Sequence, residues 1–267
     1  MRFLCAFRGF QPGIAKHGEL MSEYQYSHIY ADSRSESNDR ASSVTGVFRQ
    51  QSSGTIEFIK WIAIIAMAVD HIGLILFPDL TVLRMVGRVA LPLFGYLLIH
   101  NYRFFTTDKK KYIVRLWVFA AISQPFFYYI VYPSLNIFFL LAVALTAIYL
   151  IEMPEKTGDQ GFIARFGILC LASMLSVFIN YGFFGFALLM FMSLSFTKSE
   201  YAFFVFLSIA LMNFSLTHVS YVFCGFLFYP IIFFSGQLNL KIKRMKPLFF
   251  YAFYPAHLLI ISLFTLS

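Results

Sequence analysis

Residues 56–77 read IEFIKWIAIIAMAVDHIGLILF. As an α-helix, an apolar run of this length covers roughly 30 Å, the thickness of a bilayer's hydrocarbon core. Near its end an acid and an imidazole, Asp70 and His71, stand side by side among hydrophobic residues. The rest of the chain has the same texture. It is 59% hydrophobic and 13% charged, and phenylalanine alone supplies 35 of its 267 residues. Soluble domains carry about 25% charged residues, so the chain reads as a polytopic membrane protein.

The spacing predicts helices near 56–77, 81–100, 112–131, 136–152, 163–180, 183–197, 201–216, 219–235 and 247–266. Some are too short to cross a bilayer upright, and these are read as tilted, re-entrant or buried in the bundle. The expected fold is therefore an all-α bundle of about eight to nine transmembrane helices. Residues 1–54 differ: SHIYADSRSESNDRASSVTG is polar and serine-rich, and the segment is expected to be a disordered extension. Its start lacks a long apolar region and a small-residue cleavage site, so no cleaved signal peptide is expected; Met21 is an alternative start.

The net charge of +8 does not point to nucleic acid, because the basic residues lie between apolar segments rather than on one soluble face. They fall on alternate loops: Arg103, Lys109, Lys110, Lys111 and Arg115; then Lys156 and Arg165; then Lys198; then Lys241, Lys243, Arg244 and Lys246. The loops around 78–80, 132–135, 181–182 and 217–218 carry no lysine or arginine. Positive loops stay in the cytoplasm, which places the N-terminus inside and the C-terminus outside. No internal repeat of the kind that builds transporters is visible. Cys5, Cys170 and Cys224 lack metal-ligand spacing, and no metal is expected. No HExxH, P-loop, paired CxxC or GxSxG occurs, which leaves zinc hydrolysis, nucleotide hydrolysis and serine-elbow chemistry unsupported.

A charge in mid-membrane costs about 2.5–3.5 kcal/mol on insertion scales, and such residues usually face the bundle interior. Asp70 reads as the only acid well inside a helix. Arg88 lies at a matching depth on the next segment, so antiparallel packing lets Asp70 and Arg88 neutralise each other and leaves His71 free for chemistry. Adjacent residues point about 100° apart on a helix, so Asp70 does not orient His71 directly. The alternative is a structural Asp–Arg pair with a hydrogen-bonded histidine. Lys60 precedes His71 by eleven residues and shares its face; on spacing alone it reads as a snorkelling lysine. His257 in FYPAHLL is either a partner to His71 or a core histidine. Gln124, Asn136, Asn180 and Tyr181 either line a polar cavity or cap and bridge helices. Pro92 and Pro125 read as kinks. Arg84, His100 and His218 read as interfacial anchors or solvated groups.

The stretches IKWIAIIAMAVDHIG, GRVALPLFGYLL, SQPFFYY, LNIFFLLAVAL, NYGFFGFALL and FYAFYPAHLLI follow one another in register. In order and spacing they resemble the TraX family of F-pilin acetylases, over roughly residues 56–266. The resemblance implies a membrane acetyltransferase domain over 55–267. Its acyl donor would be acetyl-CoA, and its acceptor the N-terminal amine of a pilin or fimbrial subunit. It would lie in the bacterial inner membrane and serve pilus assembly and conjugation. The family is also similar to the membrane acyltransferases of surface polysaccharides, which carry a basic residue, ten intervening residues and a histidine on their first helix. Lys60 and His71 match that spacing. The resemblance therefore implies His71 as catalytic base, Arg88 as a site residue and Lys60 as an acyl-CoA contact. Arg88, Gln124 and Asn136 are candidates to stabilise the oxyanion. An acetyl-histidine route stays open beside direct transfer. So do a glycan O-acetyltransferase, a non-catalytic assembly scaffold, and a transporter using Asp70, His71 and Arg88 as a proton relay.

Overall fold

The computed structural model describes residues 48–266, apart from 132, 154–157, 215–218 and 239. The expected disordered character of the extension, and the readings of Met21, Lys156 and His218, fall outside the described residues. Eleven α-helices are described: α1 (Ser53–Ile75), α2 (Thr81–Gly87), α3 (Ala90–Phe104), α4 (Lys109–Ile130), α5 (Ile137–Glu152), α6 (Gly158–Ser176), α7 (Gly182–Ser195), α8 (Ala202–Phe214), α9 (Val219–Phe226), α10 (Phe228–Gln237) and α11 (Pro247–Leu266). No strand occurs among the described residues; the one β contact is an isolated bridge between Leu135 and Ile179. Three helical stretches are long and apolar enough to cross a membrane: Ser53–Ile75, Thr81–Phe104 and Ser220–Gln237. Five shorter apolar helices accompany them.

Each of the nine predicted segments coincides with helix, and prolines account for the two interruptions. Pro92 has no N–H for the Arg88 carbonyl, and its ring crowds that group. The second segment accordingly breaks at Arg88–Val89, separating α2 from α3. Pro230 stands in the same relation to Phe226, where α9 ends before α10. Pro125 lies inside α4, which continues through it. Side-chain caps begin several helices. Ser52 Oγ accepts from the Thr55 amide, Asp108 from Lys111 and Asn136 from Phe138, each satisfying a donor that the first turn leaves unpaired.

Helices α3 and α5 form the centre, buried along nearly their whole length. α1 packs against α2, α3, α10 and α11, and α11 also packs against α4. Close approach of α1 and α2 needs glycine. A Cβ on Gly73 would strike Leu83, and one on Gly87 would strike the Asp70 side chain. Small residues at such crossings let membrane helices touch backbone to backbone. The rim is apolar: Phe162, Met174, Phe203 and Phe223 are among many large hydrophobic side chains exposed around the bundle. In water so large an apolar surface would aggregate; against acyl chains it is matched to its surroundings.

The packed region reaches ahead of residue 55. Phe48 is buried against Tyr96, Phe196 and Phe228. The Gln51 amide donates to His100 Nε2 at 3.0 Å. His100 is thus not the interfacial anchor expected from its position near a segment end: it is fully buried, holding the strand of chain that enters α1.

Polar contacts gather the ends of the helices into two groups. At one end Arg103 reaches Glu152 and Ser193, Lys109 and Tyr102 also reach Glu152, and Glu57 accepts from the Met245 amide. These contacts join the start of α1 to the lysine- and arginine-bearing loops. Asp70 with Arg84 and Arg88, and the Leu135–Ile179 bridge, belong to the loops without such charges.

Candidate functional site

The site starts with the charge balance of Asp70. Arg84 Nη1 lies 3.0 Å from Asp70 Oδ2 and also donates to the Asp70 carbonyl at 3.3 Å. Arg88 Nη2 lies 3.7 Å from Oδ1. Arg84 is therefore the nearer partner and not an independent interfacial anchor; the i,i+4 spacing of Arg84 and Arg88 puts both on the face of α2 that meets Asp70. Arg88 is 3% exposed, its guanidinium lies over the Tyr221 ring, and its Nε has no hydrogen-bond partner. One carboxylate against two guanidinium groups leaves one positive charge over. Tyr181 is within electrostatic reach of all three groups. It stands at the head of α7 with φ of 71°, a left-handed conformation that a non-glycine residue seldom adopts.

His71 points away from this cluster, as its 100° offset from Asp70 requires. Its Nδ1 is 2.7 Å from His257 Nε2 on α11. The ring centroids are 5.0 Å apart with planes at 24°. That separation is one hydrogen bond plus two ring radii, so the rings meet edge to edge and not face to face. His257 Nδ1 is in turn 2.8 Å from the Phe253 carbonyl. Tyr254 packs its ring against both imidazoles, and Phe253 stacks on His257. Both histidines are buried.

Lys60 lies toward the other end of α1. It donates to Glu57 at 2.8 Å. Glu57 is a second acid inside the first helix, and it is buried, so Asp70 does not stand alone in this respect. Lys60 also lines a cavity of about 420 Å³ together with Asn101, Lys111, Arg115 and Arg244, a volume in the range of small-molecule sites. Phe138 and Tyr251 belong to the same wall. The Phe138 ring packs edge-on against Tyr254, which in turn packs against His71. Two aromatic rings, Phe138 on the cavity wall and Tyr254 behind it, thus stand between the basic-lined cavity and the histidine pair.

Gln124 and Asn136 serve a different purpose. Gln124 Oε1 accepts from both the Asn136 amide and its Nδ2, and Gln124 Nε2 donates to Ser134 O. Asn136 Nδ2 also donates to Ala120 O, and Oδ1 caps α5. Every polar atom of the two side chains has a partner, and together the bonds tie α4 to the turn before α5 and to the α5 cap. The structure joins them to each other and not to the histidines. Among the described residues no group of three or more histidine, cysteine or carboxylate side chains is placed to hold a metal.

The pattern now has a counterpart among known sequences. A family model described as TraX protein matches residues 55–265. The chain belongs to the TraX family. An uncharacterized protein of Rickettsia prowazekii (strain Madrid E) is 36% identical over 78 residues, 29% of each chain. A probable fimbrial assembly protein FimC, serogroup H1, of Dichelobacter nodosus is 35% identical over 107 residues, 34% of this chain and 43% of the relative. The protein TraX of Escherichia coli (strain K12) is 35% identical over 95 residues, 35% of this chain and 38% of the relative. These matches span less than half of each relative's length. No solved structure matches the chain.

Proposed function

We propose that this TraX-family chain is an inner-membrane acetyltransferase that moves acetyl from acetyl-CoA to the N-terminal amine of a pilin or fimbrial subunit. The observation that carries the reading is the buried histidine pair set behind the aromatic wall, Phe138 and then Tyr254, of a basic-lined cavity. With the N-terminus in the cytoplasm, the cavity opens where acetyl-CoA is found. Lys60, Lys111, Arg115 and Arg244 suit its phosphates, since guanidinium and ammonium groups pair with phosphate oxygens. The slender pantetheine arm follows the apolar wall to Phe138 and Tyr254, behind which the histidines lie. The relatives named for fimbrial assembly and for TraX support the acceptor class.

The reaction follows from the groups present. The neutral amine of the acceptor attacks the thioester carbonyl, and its lone pair becomes the new C–N bond. The carbonyl π electrons move to oxygen, where the surplus positive charge of Arg84 and Arg88 favours the oxyanion. The intermediate collapses, the C–S bond breaks, and the thiolate leaves with its electron pair. His71 takes the surplus amine proton and passes it to the thiolate, so N-acetylated acceptor and free thiol are the products. An α-amino group with a pKa near 7.7–8 is partly neutral at pH 7, and an imidazole is a suitable base there. The proton-relay transporter is disfavoured because both oxygens of Asp70 already face guanidinium groups. A glycan hydroxyl as acceptor remains the second reading, favoured by the Lys60–His71 spacing shared with polysaccharide acyltransferases.

The test is transfer of radiolabelled acetyl from acetyl-CoA to a peptide carrying a pilin N-terminus, by the purified chain in lipid nanodiscs. Label on the peptide, lost with a blocked N-terminus, is the expected result. Label only on added glycan supports the second reading. Label on neither, with the protein folded, overturns both.

A further inference from the structure

We propose that His257 is a positioning residue that fixes the tautomer of His71, so that His71 presents Nε2 to substrate as an unprotonated base. The geometry forces the assignment. A carbonyl oxygen only accepts, so the 2.8 Å contact from His257 Nδ1 to Phe253 O places a proton on Nδ1. A neutral imidazole carries one proton, and His257 Nε2 is then a lone pair. The 2.7 Å contact from His71 Nδ1 must therefore be a donated N–H. His71 in turn keeps Nε2 bare. The chain of donors runs one way: His71 to His257 to a helix carbonyl.

Every element at the junction holds this order in place. Phe253 and Tyr254 flank the His257 ring, and Tyr254 also braces His71. Asp70 is turned to Arg84 and Arg88 and makes no contact with this pair. A carboxylate in the place of His257 would hold the same tautomer. A neutral imidazole does so without adding a negative charge to the membrane interior, where an unpaired charge is expensive. When His71 accepts the amine proton at Nε2, its Nδ1–H stays on His257 and the relay need not reverse.

The proposal rests on acetyl transfer only for its consequence, and its first test needs no turnover. The full chain, with isotope-labelled histidine nitrogens, is reconstituted in lipid nanodiscs; nitrogen NMR signals are assigned with His71→Gln and His257→Gln. The expected spectrum shows His71 protonated at Nδ1 and bare at Nε2, with His257 protonated at Nδ1. A proton on His71 Nε2 overturns the proposal even if the enzyme is active. The second test uses two variants. His257→Leu removes the acceptor, and kcat is expected to fall at least about tenfold with KM for acetyl-CoA unchanged. His257→Gln, whose side-chain carbonyl lies where Nε2 does, is expected to restore the His71 tautomer and part of the rate. Wild-type tautomer and kcat in His257→Leu would overturn the proposal. A wild-type protein with the expected spectrum but no acetyl transfer would overturn the enzymatic reading and leave the tautomer assignment standing.

Discussion

Asp70 is held by two guanidinium groups, Arg84 at 3.0 Å and Arg88 at 3.7 Å. Asp70→Asn therefore strips the partner from both at once, and breaking a buried pair from one side costs about 3–5 kcal/mol. Thermal unfolding in detergent should show a larger loss for Asp70→Asn than for Arg84→Gln, which leaves Arg88 to balance the acid. Equal losses would mean that Arg88 at 3.7 Å does not share the carboxylate. Asp70, His71 and Arg88 were legible in the sequence because polar residues are conspicuous in an apolar run. Arg84 was legible in principle through its i,i+4 relation to Arg88, and Glu57 through its i,i+3 relation to Lys60; both lay too near segment ends to stand out. The bond between His71 and His257 was not legible, because 186 residues separate its partners and no periodicity carries that information.

Helices read more easily than their interruptions. An apolar run in lipid has to satisfy its own backbone groups, so nine runs gave nine stretches of helix. The breaks at Arg88 and Leu227 lie about one turn before Pro92 and Pro230, where the lost N–H leaves a carbonyl unpaired, and not at the prolines themselves. Two element-level predictions follow from contact geometry. Gly87→Ala drives a Cβ into Asp70 and should separate α1 from α2, with a loss of about 1–3 kcal/mol in unfolding experiments. Asn136→Ala removes the cap of α5 and the Nδ2 bonds to Gln124 and Ala120, and should cost about 1–3 kcal/mol. If Asn136→Ala instead left stability unchanged and abolished acetyl transfer, Asn136 would be a site residue and not a tie between α4 and α5.

At the scale of the whole molecule, the described loops separate to two ends, one basic and one whose described turns carry no lysine or arginine. The alternation of basic loops anticipated this; we propose that the basic end faces the cytoplasm and that the spans are odd in number, which puts the two termini on opposite faces. A reporter phosphatase fused after Ser267 should be active, which requires export, whereas one inserted beside Lys110 should be silent. Activity at both positions would break the topology and with it the cytoplasmic access of the cavity. The central claim is that His71 performs acetyl transfer onto a pilin N-terminus. Intact-mass spectrometry of the major pilin, from cells carrying wild-type protein or an equally expressed His71→Ala, tests it most directly. The account predicts that pilin gains the mass of one acetyl group at its N-terminus with the wild-type protein and not with His71→Ala. Identical pilin masses in the two strains would contradict it.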